Sequence, residues 1–202
     1  MSNGRSPKAA ANGYKDVVDR VLKHAKPIVD EFQRDSFVDE IVVELRHDPI
    51  TVLEKGKRTK RKVNFPKEPG LYLFEINLRV TPTAELLTKF GNKWNTDRIQ
   101  AGTSPRFYPG KVNKALTARD ADWVPFYLGK EENIKKRVSQ HIAGPNNKKT
   151  SALRLQDNAT LFKEADLRVG YAQIAIPKDL HFLLGLIEKA VRSRLNPIVG
   201  RQ

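Results

Sequence analysis

The spacing of apolar positions changes several times along the chain, and each change predicts an element. From Tyr14 it is helical: Val17, Val18, Val21 and Leu22, then Ile28, Val29 and Phe32 recur at threes and fours. Pro27 predicts a break or a new start within that run. Ser36 followed by Asp39 resembles a capping box and predicts a further helix through Glu44. Residues 14–65 therefore read as a helical N-terminal segment ending in a basic run. Residues 1–13 are small, polar and aperiodic, and read as a flexible tail.

Beyond Pro69-Gly70 the period shortens. LYLFEINLRV alternates well enough for a strand, and VPFYLG at 124–129 predicts a second. Alternation puts Tyr127 and Gly129 on one face of that second strand, with Val124, Phe126 and Leu128 on the other. Lys130 to Ile142 reads as a helix with Ile134, Val138 and Ile142 as its apolar stripe. Arg137 and His141 lie together beside that stripe at i and i+4, and Glu131–Lys135 and Glu132–Lys136 fit helical ion pairs. A short helix is expected over 151–162, a third strand over Leu167 to Ile176, and a last helix from Pro177 to Arg194, stopped by Asn196-Pro197.

Residues 80–122 interrupt this order. Thr81-Pro82 opens a helix expected to end at Phe90-Gly91, and GTSPRFYPGKVNK is dense in turn formers. A connection this long inside a domain is usually functional or disordered. The expected fold is α/β (α+β), with a small three-stranded sheet flanked by helices over residues 66–202. A long insertion at 80–122 separates the first two strands.

Composition narrows the chemistry. The 202 residues include no cysteine, which excludes disulfides, thiolate catalysis and cysteine-ligated metals. No apolar run approaches the roughly 18 residues of a membrane span, and MSNGRSPKAA has no apolar signal core. The expectation is a soluble protein, cytoplasmic or nucleoid-associated, with no membrane partner. The formal charge of +14 attracts polyanions, of which nucleic acid is the commonest inside cells. KGKRTKRK at 55–62 has six basic residues in eight and offers Lys57, Arg58, Lys60 and Arg61 as phosphate contacts. In the insertion, Arg106 and Lys111 are candidate base or phosphate readers, and Phe107 and Tyr108 candidate stacking groups.

Residue by residue, bland roles remain open. Tyr72 shares its strand face with Phe74 and Ile76, as a core tyrosine would. Arg137 and His141 suit the solvent side of a basic helix. In the last helix Glu188 sits on the shoulder of a core face made by Leu180, Leu183, Leu184, Ile187 and Val191, where an ion pair is ordinary.

The order of these residues nevertheless resembles a known signature. Gly70-Leu71-Tyr72 followed by Tyr127-Leu128-Gly129, with Lys130 directly after, looks like that of the GIY-YIG nucleases. Arg137 and His141 stand ten and fourteen residues after Tyr127, and Pro197 nine after Glu188, as in that family. The resemblance covers roughly residues 69–200. It departs in the two tyrosines standing 55 positions apart and in Gly200, where many members have asparagine.

The resemblance implies a DNA endonuclease dependent on Mg²⁺ (or Mn²⁺), with in-line attack of water on a phosphodiester. Glu188 would hold the cation and Arg137 the phosphate, Tyr72 would be the general base, and Tyr127 would orient the water or a phosphate oxygen. Lys130 and His141 would assist phosphate contact or proton transfer. The partner would be double-stranded DNA, and a small member of this kind is most often a sequence-specific restriction enzyme. Duplex cleavage would need a homodimer or two sequential events. The competing expectation is a catalytically inactive, basic nucleic-acid-binding module.

Overall fold

The computed structural model describes residues 21, 26–28, 30, 37–44, 51–54, 57–59, 65–101, 105–144 and 151–200, with only the backbone described at 38–44, 51–54, 57–59, 98–101 and 179. The expected tail at 1–13, most of the helical run from Tyr14, and Lys60 and Arg61 of the basic run lie outside these residues. Within that run Val21, Lys26 to Ile28 and Asp30 are helical, and Val21 and Ile28 pack on the core.

The three expected strands form an antiparallel unit: β4 (Gly70–Asn77), β5 (Val124–Glu131) and β6 (Asp166–Gln173), with β4 between the other two. Three further strands extend it through β6. These are β1 (Val38–Glu44), β2 (Thr51–Glu54) and β3 (Lys57–Thr59), and the full order is β3-β2-β1-β6-β4-β5. The helix expected from Ser36 to Glu44 is therefore a strand. Four of the seven residues of β1 are the β-branched Val38, Ile41, Val42 and Val43, and pairing with β6 overrides a two-residue cap signal.

Strand β4 is buried along nearly its whole length because both sheet faces are covered. One face carries Tyr72, Phe74, Ile76, Leu167 and Val169, covered by the insertion and by helix α3 (Ile134–Ala143). The other carries Leu71, Leu73, Leu128 and Ala172 against Leu183, Leu184, Ile187 and Val191 of helix α4 (Leu183–Leu195). Asn196 ends α4 in the left-handed region at φ 48, with its N–H on the Arg192 carbonyl, as its stop signal predicts.

The insertion is folded rather than a loop. Helix α1 (Ala84–Ala101) runs on past Gly91, and a short helix α2 (Val112–Thr117) follows. Gly91 does not end α1, because it makes room: a Cβ there would lie 2.3 Å from the Phe107 ring. Leu87, Gly91 and Trp94 form the buried stripe of α1. Trp94 donates from Nε1 to the Pro105 carbonyl at 2.8 Å, and its ring meets Phe126 and Phe162 edge-on. The Asn95 amide bonds both the N–H and the carbonyl of Phe107 (2.9 and 3.2 Å), as a neighbouring strand would. Phe107 is thus a core residue rather than a stacking group.

Two other expectations change. Residues 151–162 form turns that lead into a 3-10 helix at Leu161–Glu164, not a regular helix. Helix α3 begins at the Asn133 cap, because β5 continues to Glu131, paired with Gly70. Glu131 and Glu132 therefore precede the helix and do not make the expected i,i+4 pairs.

Candidate active site

Strict alternation along β5 fails at one point. Phe74 faces Tyr127 while Glu75 faces Pro125, so Phe126 is an extra residue, a β-bulge. The bulge puts Phe126 in the same cluster as Tyr127 instead of on the opposite face. Beyond it, Tyr127 and Gly129 lie beside Phe74 and Tyr72. The Tyr72 and Tyr127 rings stack at 6.3 Å and 28°. Gly129 has no side chain because the Tyr72 phenol occupies that space: a Cβ there would stand 2.3 Å from the hydroxyl oxygen.

Strand β5 ends the sheet, and its outer edge is shared. Ile198 and Val199 donate to the carbonyls of Pro125 and Phe126 (3.1 and 2.8 Å), and the insertion residues Arg106 to Tyr108 pair on their far side. Further along, the Leu128 carbonyl accepts from Arg192 Nη2 at 3.1 Å. A cleft of about 790 Å³ wraps this edge and takes groups from both sheet faces. Tyr72, Tyr127, Arg137, Lys130 and Glu188 all line it, together with Arg106, Tyr108 and Arg192.

His141 is fully buried and does not line the cleft; its ring packs behind the two tyrosines, 4.8 Å from Tyr127 and 5.3 Å from Tyr72 between centroids. Its Nδ1 accepts the Leu153 N–H at 3.0 Å, which places the proton of a neutral ring on Nε2. Nε2 then donates to the Tyr72 hydroxyl oxygen at 2.9 Å. Burial, and then the nearby Arg137 charge, hold the imidazole pKa well below its ordinary 6.5, so the ring is neutral.

Burial drives the Tyr72 hydroxyl well above 10.0, Tyr127 adds to this, and Arg137 opposes it. Tyr127 is raised chiefly by burial as well, and Glu188 is close enough to raise both phenols. In the free protein both are protonated. A base role for Tyr72 therefore needs positive charge brought with the substrate.

The Arg137 fork is anchored by Gln140 Oε1 at 3.0 Å and the Ser151 carbonyl at 2.6 Å. Glu188 pairs with Arg192, the next turn of α4, and the two side chains are 17% and 15% exposed. Arg192 is a cleft residue that the resemblance did not point to; its i+4 spacing from Glu188 was the available signal. Lys130 is exposed at the rim, its chain beside Gly185, where a Cβ would lie 3.5 Å from Lys130 Cε. Lys111 does not line the cleft but sits over the Tyr108 ring, 5.4 Å from its centre. Lys57 and Arg58 lie on β3, at the far end of the sheet from β5. Gly200 has φ +124, where an L side chain such as asparagine is strained, and the Tyr127 ring fills the space beside it.

Among the described residues no group of three or more His, Asp or Glu side chains converges. Glu188 is the carboxylate to which the resemblance points, and a divalent cation held there would complete its shell with waters and substrate oxygens. That donor set suits Mg²⁺, which takes one or two carboxylates and keeps its waters. No helix among the described residues is long and apolar enough to cross a membrane. Comparison of the chain with protein-family models, with curated proteins and with solved structures finds no match in any of the three.

Proposed function

We propose that this protein is a divalent-cation-dependent endonuclease of the GIY-YIG type acting on double-stranded DNA. The observation that carries the reading is the meeting of Tyr72, Tyr127, Arg137 and Glu188 in one cleft, although 116 positions separate the first from the last. A carboxylate for Mg²⁺ or Mn²⁺, a rigid guanidinium for phosphate and two adjacent phenols are a donor set for phosphodiester hydrolysis. The cation would polarise the scissile phosphate. Arg137 would hold it and Tyr127 would orient the water. Tyr72, its oxygen held by His141, would first lose its phenol proton to solvent under the added positive charge of the bound cation, and the resulting phenolate would take the water's proton. Arg106 and Tyr108 of the insertion, at the cleft wall, are candidate readers of sequence, which favours a restriction-type enzyme. Two copies, or two successive events, would cut both strands.

The test is incubation of the purified chain with supercoiled plasmid in Mg²⁺, Mn²⁺ or EDTA. Nicking or linearisation that needs the metal and is lost in Glu188→Gln and Arg137→Ala is expected. Absence of cleavage across several plasmids, or activity retained by Glu188→Gln, overturns it. A second reading is an inactive nucleic-acid-binding module, favoured by the Glu188–Arg192 pair and by Gly200. It expects salt-dependent binding without cleavage, and Arg137→Ala weakening that binding only slightly.

A further inference from the structure

Arg192 has no part in the mechanism above, yet it lines the same cleft and pairs with Glu188. Nη2 of Arg192 both pairs with Glu188 Oε1 and donates to the Leu128 carbonyl on the outer edge of β5. A planar guanidinium tied to a strand backbone is a fixed charge, not a wandering one. The hydrogen bond from Arg192 engages Oε1 of Glu188, and among the described residues none donates a hydrogen bond to Oε2. A second cation is near: the Lys111 pKa is lowered by burial and then by the charge of Arg192.

We propose that Arg192 is a resident counter-cation of the metal site, confining Glu188 to one coordinating oxygen and making divalent-cation binding conditional on nucleic-acid phosphate. The inference rests on Glu188 being the cation ligand. Arg192 offsets the charge of Glu188, and Arg106, Lys130, Lys136 and Arg137 line the same cleft against Glu131 and Glu132, so an incoming dication gains little from the Glu188 carboxylate and is repelled by its partner. The low exposure of both side chains limits screening by solvent. Substrate phosphate supplies the missing negative charge. By linkage, the cation must then tighten nucleic-acid binding by the same factor that nucleic acid tightens the cation's.

The experiment is an equilibrium titration of the full chain with Mn²⁺, followed by the electron-paramagnetic-resonance signal of the free ion. It is run with and without a short DNA duplex, and duplex alone is the blank. Wild type is expected to bind Mn²⁺ weakly alone and roughly tenfold more tightly with duplex, within the usual range of coupling between sites. Arg192→Gln is expected to bind about tenfold more tightly than wild type without duplex, whereas Arg192→Lys, which keeps the charge, stays weak.

Equal affinity of wild type and Arg192→Gln without duplex overturns the proposal. So does wild-type affinity that ignores the duplex, and that comparison alone decides if Arg192→Gln does not fold. Glu188→Gln separates the two levels. If Mn²⁺ binding survives it, the reading of Glu188 as ligand fails. If Glu188→Gln abolishes binding but Arg192→Gln changes nothing, only the role of Arg192 fails.

Discussion

The hydroxyl oxygen of Tyr72 and Nε2 of His141 lie 2.9 Å apart in a fully buried contact, and the Leu153 N–H on the other ring nitrogen makes the imidazole the donor. The phenol oxygen is thus an acceptor toward His141, so a base role for Tyr72 requires its own proton to leave toward the cleft rather than to the imidazole. Replacing Tyr72 by Phe removes that oxygen and leaves a buried N–H without a partner, at a cost of about 1–3 kcal/mol. Cleavage should fall by roughly 10²-fold or more, while DNA affinity stays near that of wild type. Urea midpoints, gel shifts and plasmid nicking on one preparation check all three.

Gly129 bears on the same contact from the strand side. In Gly129→Ala the new methyl group meets the Tyr72 hydroxyl, so the ring or the strand must shift. Overpacking of this kind costs about 1–3 kcal/mol, and the phenol leaves its place. Loss of cleavage with a lower melting temperature is expected. Wild-type activity in this variant would contradict the close approach.

His141 predicts a pH dependence. Its folded-state pKa is depressed well below 6.5, so below about pH 6.5 the unfolded chain binds a proton that the folded chain refuses. The contribution to stability is fully present above that pH and shrinks as pH falls toward the folded value. The slope is about 1.4 kcal/mol per pH unit for one proton. Urea unfolding from pH 7 to pH 5 should carry this slope in wild type and lose it in His141→Gln.

On the opposite sheet face, Glu75 and Arg168 are cross-strand neighbours joined at 2.8 Å, with side chains 2% and 7% exposed. Arg168 also bonds Asp120 at 2.9 Å and lies over Trp123, 4.5 Å from the ring centre, clamping the turn that leads into β5. Removing Glu75 leaves the buried guanidinium with Asp120 and the Trp123 face but without the charge-assisted bond on Nε, so Glu75→Ala should lower unfolding free energy by about 1.5–3 kcal/mol. Surface pairs such as Arg79–Asp166 should contribute under about 1 kcal/mol. Paired denaturation curves distinguish the two.

Much of the site was legible because it rests on local order. The two tyrosine strands, the Arg137 helix and Glu188 each sit in an element whose periodicity is plain, and the structure brings all four to one cleft. What escaped was non-local. The bulge at Phe126 depends on how β4 pairs with β5, and no count along β5 alone reveals it. The strand at Val38–Glu44 exists because β6 is there to pair with it. Helix α1 passes Gly91 because Phe107, sixteen residues on, needs the space. Arg192 is defined by the Leu128 carbonyl, which is distant in sequence.

The strand order acts as a ruler. Five strand spacings separate β5, which bears Tyr127, from β3, which bears Lys57 and Arg58. At ~4.8 Å each this is about 24 Å, or about seven base pairs of duplex at 3.4 Å per step. On the proposed nuclease reading, a DNA molecule gripped at both ends of the sheet would therefore reach well past the scissile bond on one side. Its footprint would be lopsided, and oligonucleotides trimmed on that flank should lose affinity before they lose the cleavage position.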